Sequence, residues 1–246
     1  MSQMSDDLYL GTALIPSVSD SANPSPMSRG VGPLGRVYIW DVVPLTLQAA
    51  GLAISQNPGS GASFTLTAGT GVTLRARPDG TNEYVLDVPR CVTVTATGAN
   101  TATYTITGYD QYNQRMTQLI AAPSTSTVAT TKAFKTIVSV TNANATASTN
   151  GVTVGFNDKL GLPLRVTDVG YVASVKWNAT LAADAGTFVA ADTTSTATAS
   201  TTDVRGCYTP SSATNGTKRL VMAIALPAIA VGPNATRIGA VGVDQA

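Results

Sequence analysis

Residues 91–109 read CVTVTATGANTATYTITGY, and this stretch decides the fold class. Val or Ala alternates with Thr before the Gly-Ala-Asn at 98–100, and Ala, Tyr or Ile alternates with Thr after it. A period of two places one face of a strand on a core and the other in solvent, and the β-branched residues favour strands. The stretch therefore predicts an antiparallel hairpin with strands over 91–97 and 102–109.

Outward from this hairpin, short β-favouring runs continue in both directions, bounded by residues typical of turns. An irregular step near Thr136 and Ile137 indicates a β-bulge, and turns are predicted at 77–82 and 110–114. Residues 49–61 are expected to form a loop, with at most one helical turn over 46–53. A helical period is sustained nowhere. The further strands are predicted at 37–45, 63–67, 71–75, 83–88, 115–120, 132–141, 151–155, 171–177 and 219–226.

Many short strands at a spacing of about ten residues are typical of an antiparallel β-sandwich or jelly-roll-like fold. We expect an all-β protein with two small domains, the first over 37–158 and the second over 159–232. Residues 1–36 are predicted to form an extended N-terminal arm, and residues 233–246 an extended C-terminal tail.

The predicted arm is dense in Pro and Gly, which oppose regular structure because Pro fixes φ and lacks a donor while Gly loses more backbone entropy. A partner subunit could order such an arm, and a disordered leader is an equally open alternative. The residues predicted to contact a partner in assembly are Pro24, Pro26, Arg29, Pro33 and Arg36.

Charge is sparse in the 246 residues: 15 Lys and Arg against 14 Asp and Glu, a net charge of +1. So weak a field argues against nucleic acid or a membrane as a partner. No stretch reaches the roughly 18 apolar residues that span a bilayer. The polar, acidic start lacks the pattern of a signal peptide, so synthesis and retention in the cytoplasm are expected. Few charges suit a surface that is covered in an assembly.

Histidine is absent from the sequence, which removes the commonest general base and zinc ligand. Most aspartates lie in turns, where their side chains usually accept hydrogen bonds from the backbone. We therefore predict no catalytic residue, no metal site and no cofactor, and hence a protein that is not an enzyme. The turn aspartates include Asp79, Asp110, Asp158 and Asp184.

The two cysteines, Cys91 and Cys207, form no short metal-binding or redox motif. Buried reduced thiols are expected, and a disulfide across strands is the alternative. Trp40 and Trp177 lie within apolar strands, so we predict that both pack in a core rather than at a binding surface.

Several segments resemble tailed-bacteriophage virion proteins: 104–118 (YTITGYDQYNQRMTQ), 132–140 (KAFKTIVSV) and 160–163 (LGLP). Residues 23–44, 203–206 and 218–222 are also similar to structural proteins of short-tailed phages, of the head-decoration or cement type. The resemblance covers most of the chain, but its motifs are those of strands and turns. Asn113 stands where the pattern often has Gly, and Asn tolerates the same left-handed backbone.

The resemblance implies a capsid decoration protein with jelly-roll-like domains, trimeric, located on the capsid surface of the virion. Its partners would be the major capsid protein and other copies of itself. Two other functions stay open: a tail or tail-fibre component of the virion, and a β-sandwich binding module or enzyme outside any virion.

Overall fold

Antiparallel β-strands make up nearly all the regular structure in this computed structural model, which describes residues 8–10, 35–192 and 203–226. Helical structure within these residues is limited to a 3-10 turn at Val169–Tyr171. The predicted all-β antiparallel class is therefore confirmed. The strands are β1 (Leu8–Leu10), β2 (Gly35–Val42), β3 (Gln48–Gln56), β4 (Val72–Ala76), β5 (Asn82–Ala96), β6 (Tyr104–Tyr109), β7 (Arg115–Ile120), β8 (Thr127–Asn142), β9 (Val152–Gly161), β10 (Val172–Trp177), β11 (Thr187–Val189), β12 (Cys207–Thr209) and β13 (Leu220–Leu226).

The larger sheet has the strand order β11-β12-β9-β5-β8-β6-β7, with β3 added on β9 and β4 on β5. Its main hydrophobic cluster draws on β3 and β5 to β9, so this sheet curls around a core made by its own side chains. Period-two burial is clear in β6, where Tyr104 and Ile106 point inward and the Thr residues between them are less buried.

The smaller sheet has the order β1-β2-β13-β10, entirely antiparallel. Its inward side chains, which include Trp40, Trp177 and Met222, form a second cluster with Leu160 and Tyr208 of the larger sheet. Both tryptophans are buried, which confirms their predicted place in a core. The two sheets are thus joined by packing along β9 and β12.

Strand β9 takes part in both hydrophobic clusters. Phe156 packs in the core of the larger sheet, whereas Leu160 packs in the second cluster. The predicted boundary between residues 158 and 159 falls inside this strand. Strand β2, placed by the sequence in the first domain, pairs with β13 of the second. The two-domain division stays a prediction.

The hairpin predicted over residues 91–109 is wrong in its pairing, although both strands exist. Strand β5 is flanked by β8 and β9, and β6 by β7 and β8, so β5 and β6 are not neighbours. The turn at 98–100 bonds elsewhere: Asn100 N donates to Ser124 O at 3.1 Å, and Thr97 N to Asn150 O at 3.2 Å. Pairing with distant strands prevailed over the local turn.

Residues 49–61, predicted as a loop, contain most of β3, which pairs with β9. Leu52 and Ala53 are fully buried there. The Ala- and Gly-rich run lacks the alternation that marks a strand, so no strand was predicted there. Close approach is possible because Gly155 on β9 has no side chain; a Cβ there would overlap the backbone of Gln48.

Residues 63–67, predicted as a strand, form only an isolated bridge between Ser63 and Thr141. The side chain of Gln56 bonds both backbone groups of Thr65, at 2.9 Å to N and 2.8 Å to O. The backbone of the segment also bonds β8 and β3, through Phe64 N to Val140 O at 2.9 Å and Thr67 N to Leu52 O at 2.7 Å. Phe64 reaches the core.

The predicted turn between β6 and β7 is confirmed. Asp110 Oδ1 accepts hydrogen bonds from the backbone of Tyr112 and Gln114, both at 2.8 Å. Asn113 has φ of 60°, the left-handed conformation expected for it. The irregular step predicted near Thr136 and Ile137 is also present, as a register shift against β6.

Candidate functional site

Of the residues predicted for the assembly arm, one lies in the part of the chain that the structure describes. Arg36 is in β2, with its backbone opposite Tyr9 of β1 on one side and Leu226 of β13 on the other. The other four lie outside the described residues: Pro24, Pro26, Arg29 and Pro33.

One end of the smaller sheet brings together three points of the chain, and we call it the arm end: Leu10, Gly35 and Leu226. Leu10 is directly opposite Gly35, and Leu226 is opposite the next residue of β2. Residues 11–34 connect the first two points, and the chain continues from the third into residues 227–246. Two segments with abundant Pro and Gly therefore leave the sheet at the same place.

Exposed apolar side chains lie beside the arm end. Strand β10 begins opposite Ile224 of β13, two residues from Leu226. The 3-10 turn directly before β10 leaves Val169 61% and Tyr171 39% exposed. Asp168 holds this turn by accepting a hydrogen bond from Gly170 N at 2.6 Å.

A cleft of about 760 Å³ opens between β2 of the smaller sheet and the larger sheet. Of the β2 residues that line this cleft, Tyr38 is the nearest to the arm end. It is three residues from Gly35, or about 10 Å along an extended strand. The cleft is lined by Tyr38, Trp40, Asp41, Val42, Val43, Asp87, Val88, Pro89, Gln111, Tyr112, Lys135, Pro163 and Arg219.

The charged groups of this cleft are already engaged with protein partners. Arg219 Nε donates to Asp41 Oδ1 at 2.6 Å, and this bond holds the pKa of Asp41 below its ordinary value. Lys135 Nζ donates to the backbone oxygens of Leu86 and Asp87, at 2.5 and 2.7 Å. Burial lowers the pKa of Lys135. The lining thus balances two cations with two carboxylates.

Two phenol side chains, Tyr38 and Tyr112, line the cleft. Burial raises the pKa of Tyr38, and Tyr112 acts in the same direction. Burial also raises the pKa of Tyr112. Tyr112 belongs to the β6–β7 turn, so this turn of the larger sheet reaches the smaller one.

Arg90 forms a buried ionic cluster behind the cleft. Its side chain has no exposed surface, and it bonds both carboxylate oxygens of Asp87, at 2.9 and 2.7 Å. It also donates to Leu45 O at 2.6 Å and lies 3.5 Å from Asp158 Oδ1. Thr214 contacts both of these oxygens through its hydroxyl. One guanidinium therefore joins β5 to β9 and to the loops that contain Leu45 and Thr214.

Arg205 forms a second buried ion pair, at 2.8 Å from Asp110 Oδ2. Its guanidinium also lies over the ring of Tyr112, 4.9 Å from the centroid. Tyr112 Oη and Gln111 Nε2 both donate to Pro163 O, at 2.7 and 2.9 Å. These contacts hold the β6–β7 turn against the segment that follows β9.

The expectation that turn aspartates accept backbone hydrogen bonds holds for Asp79 and Asp110. Asp158 and Asp184 differ, because they also bond side chains far along the sequence. Tyr208 Oη donates to Asp184 Oδ2 at 2.6 Å, which adds to the burial that raises the pKa of Tyr208. The turn predicted at Asp158 is wrong, since this residue lies within β9. Both carboxylates connect parts of the chain that are distant in sequence.

Sequence reasoning missed Arg90 and Arg205, which hold the region around the cleft together. The signal was present for Arg90: a lone cation within an otherwise apolar strand is rarely buried without a partner. Asp87, three residues earlier, is one partner that lies close in sequence, whereas Leu45 and Asp158 are distant and could not be predicted.

Among the described residues, no group of three or more His, Cys, Asp or Glu side chains is placed to hold a metal ion. The same part of the chain has no helix that is long and apolar enough to cross a membrane. Both cysteines are buried thiols, as expected.

Comparison of the chain with protein-family models, with curated proteins and with solved structures finds no match.

Proposed function

We propose that this chain is a structural virion protein of a bacteriophage, which binds the outer surface of the capsid shell as a decoration protein and stabilises it. The partners in this proposal are the major capsid protein and further copies of the chain, arranged as a trimer. The arm end is the region of contact.

The observation that supports the proposal most is the convergence of chain segments at the arm end. Residues 11–34 and 227–246 leave the folded sheet side by side at Leu10, Gly35 and Leu226. Two segments delivered to one place can act on the same partner, and each then raises the effective concentration of the other.

Apolar exposure at the same end adds to this support. Val169 and Tyr171 place hydrocarbon surface beside the departing segments. Burial of such side chains is a main source of free energy in protein association. A low charge count fits a surface that is covered in the assembled particle.

Immunogold labelling of phage particles tests the location directly. Antibody against the chain is applied to purified particles of the phage whose genome encodes it. Gold distributed over the shell supports the decoration function, whereas gold restricted to the tail supports a tail component. Particles that contain the chain nowhere would leave the third alternative, a binding module or enzyme outside any virion.

A deletion tests the role of the arm end. Replacing residues 12–33 with a short Gly-Ser linker keeps β1 and β2 in one chain. We expect a folded β protein with an unchanged unfolding midpoint but no binding to undecorated particles in a sedimentation assay. Full occupancy by this variant would contradict the proposal.

Two single substitutions provide a matched pair for that assay. Val169→Ser at the arm end should weaken particle binding about tenfold, the loss expected for one buried Val. Leu181→Ser removes a side chain that is 95% exposed and lies beyond β10, away from the arm end. This control variant should bind as the unmodified chain does.

A further inference from the structure

The fold brings the two cysteines together, although they are far apart in sequence. Cys91 lies on β5 and Cys207 on β12, and both side chains are fully buried. With Ala133 of β8 they form a separate small cluster of contacting side chains. A hydrogen bond with Cys207 and burial both raise the pKa of Cys91.

The contact is possible because of the irregular course of β9, which separates β5 from β12. The register between β5 and β9 changes between Arg90, which is opposite Leu160, and Val92, which is opposite Phe156. Strand β9 therefore bulges beside Cys91. On its other side, β9 places Gly161 opposite Cys207. A Cβ at position 161 would overlap the Cβ of Ala133, so the missing side chain lets the strands approach.

We propose that Cys91 and Cys207 are a site of intrachain disulfide formation, with a peroxide as the oxidant. One thiolate sulfur attacks the peroxide, the O–O bond breaks, and a sulfenic acid forms with release of one water from hydrogen peroxide. The second thiol then displaces the sulfenic hydroxyl, which leaves as a second water. Two thiols are thus oxidised while one peroxide is reduced.

Access to the buried thiols requires local opening of β12, which the packing of Tyr208 and the neighbouring Arg205–Asp110 ion pair hold in place. This strand pairs with β9 through only two residues, Cys207 and Tyr208, and on its other side with the three residues of β11. Short elements with few backbone pairs open locally at lower free energy than core strands. Because burial disfavours the thiolate, oxidation is expected over hours rather than seconds.

The bond would tie the outer β11–β12 pair to β5, a strand at the centre of the larger sheet. It closes a loop on the order of 100 residues, a length at which a disulfide markedly restricts the unfolded chain. The inference goes beyond the proposed function and does not depend on it.

The test starts from the full chain purified in reductant, which is then removed. Half of the sample is treated with hydrogen peroxide, and both halves are denatured and alkylated with iodoacetamide. We expect two alkylated thiols in the untreated half and none after peroxide, with the peptides containing Cys91 and Cys207 linked in the protease digest. The midpoint of denaturant unfolding should shift upward and return after reduction.

Three results would overturn the proposal: thiols still alkylated after prolonged oxidation, cysteines oxidised separately to sulfinic acid, or links between different chains. Cys91→Ser and Cys207→Ser serve as controls, and each should show no linked peptide and no shift of the midpoint. Should either fail to fold, the linked peptide in the unmodified chain still decides the outcome.

Discussion

The core of the larger sheet and the junction between the two sheets, which is the region around Arg90 and Arg205, contain different kinds of side chain. The core is apolar, with Phe134, Ile137 and Phe156 among its fully buried members. The junction contains the buried cations Arg90 and Arg205 with their carboxylates. Apolar burial gains free energy without fixing direction, whereas a buried guanidinium is tolerated only when its donors meet acceptors in set positions.

This difference teaches what each region contributes. The core supplies most of the stability, because it buries most of the apolar surface. Its side chains need only the right size and the right face of the strand. The junction determines how distant parts of the chain are placed, because Arg90 of β5 contacts both Leu45 in the loop after β2 and Asp158 in β9. Three substitutions test the contrast.

The largest effect is expected in the core. Phe134→Ala should lower the free energy of unfolding by about 3–5 kcal/mol, because it removes a fully buried ring and leaves a cavity. Denaturant unfolding followed by circular dichroism measures the change. Leu119→Ala on exposed surface of β7 is the control and should stay within about 0.5 kcal/mol. Equal losses in the two variants would remove the distinction between core and surface.

Removal of the junction cation should cost slightly less. Arg90→Met keeps much of the side-chain volume but removes the charged donor from the carboxylate of Asp87 and from the oxygen of Leu45, at a cost of about 2–4 kcal/mol. Arg219→Met is the matched control, since Arg219 pairs with Asp41 but is 59% exposed. It should cost clearly less than Arg90→Met by the same unfolding measurement, because water screens an exposed pair. If Arg90→Met cost no more than the control, the junction would not depend on its buried cation.

The smallest effect concerns pH. Burial alone would raise the pKa of Asp184, but hydrogen bonds from Ser211 and Tyr208 outweigh it and hold the pKa below the ordinary value of 3.8. A carboxyl with a lowered pKa stabilises the fold above that value and loses this contribution as pH falls through its folded pKa. Asp184→Asn should therefore cost about 0.5–1 kcal/mol at pH 7 and nothing in stronger acid.

Unfolding measured at several pH values checks this dependence. Ser211→Ala removes one of the donors. In a chain that carries this substitution, Asp184→Asn should change the free energy of unfolding less than it does in the unmodified chain. A difference that stays constant with pH would show that the carboxylate charge plays no part.

Sequence patterns predicted individual strands better than their neighbours. The alternation in β6 and the turn before β7 could be predicted because both depend on residues close in sequence. The strands that pair with β5 could not be predicted, since β8 and β9 are similarly apolar and distant in sequence. The sequence predicted separate strands at 83–88 and 91–97, whereas one strand, β5, runs through both. At the arm end, composition indicated two extended segments, but their common point of departure depends on the register of β1, β2 and β13.

By itself, the sequence determined the all-β class, the burial of Trp40 and Trp177 and the absence of histidine, because composition and short-range alternation fix these properties. Only the tertiary structure decided which strands pair, how Arg90 contacts Leu45 and Asp158, and that Cys91 meets Cys207. Each of these requires residues that are distant in sequence to share one position in space. Such placement is set by the packing of the whole chain, which no local pattern encodes.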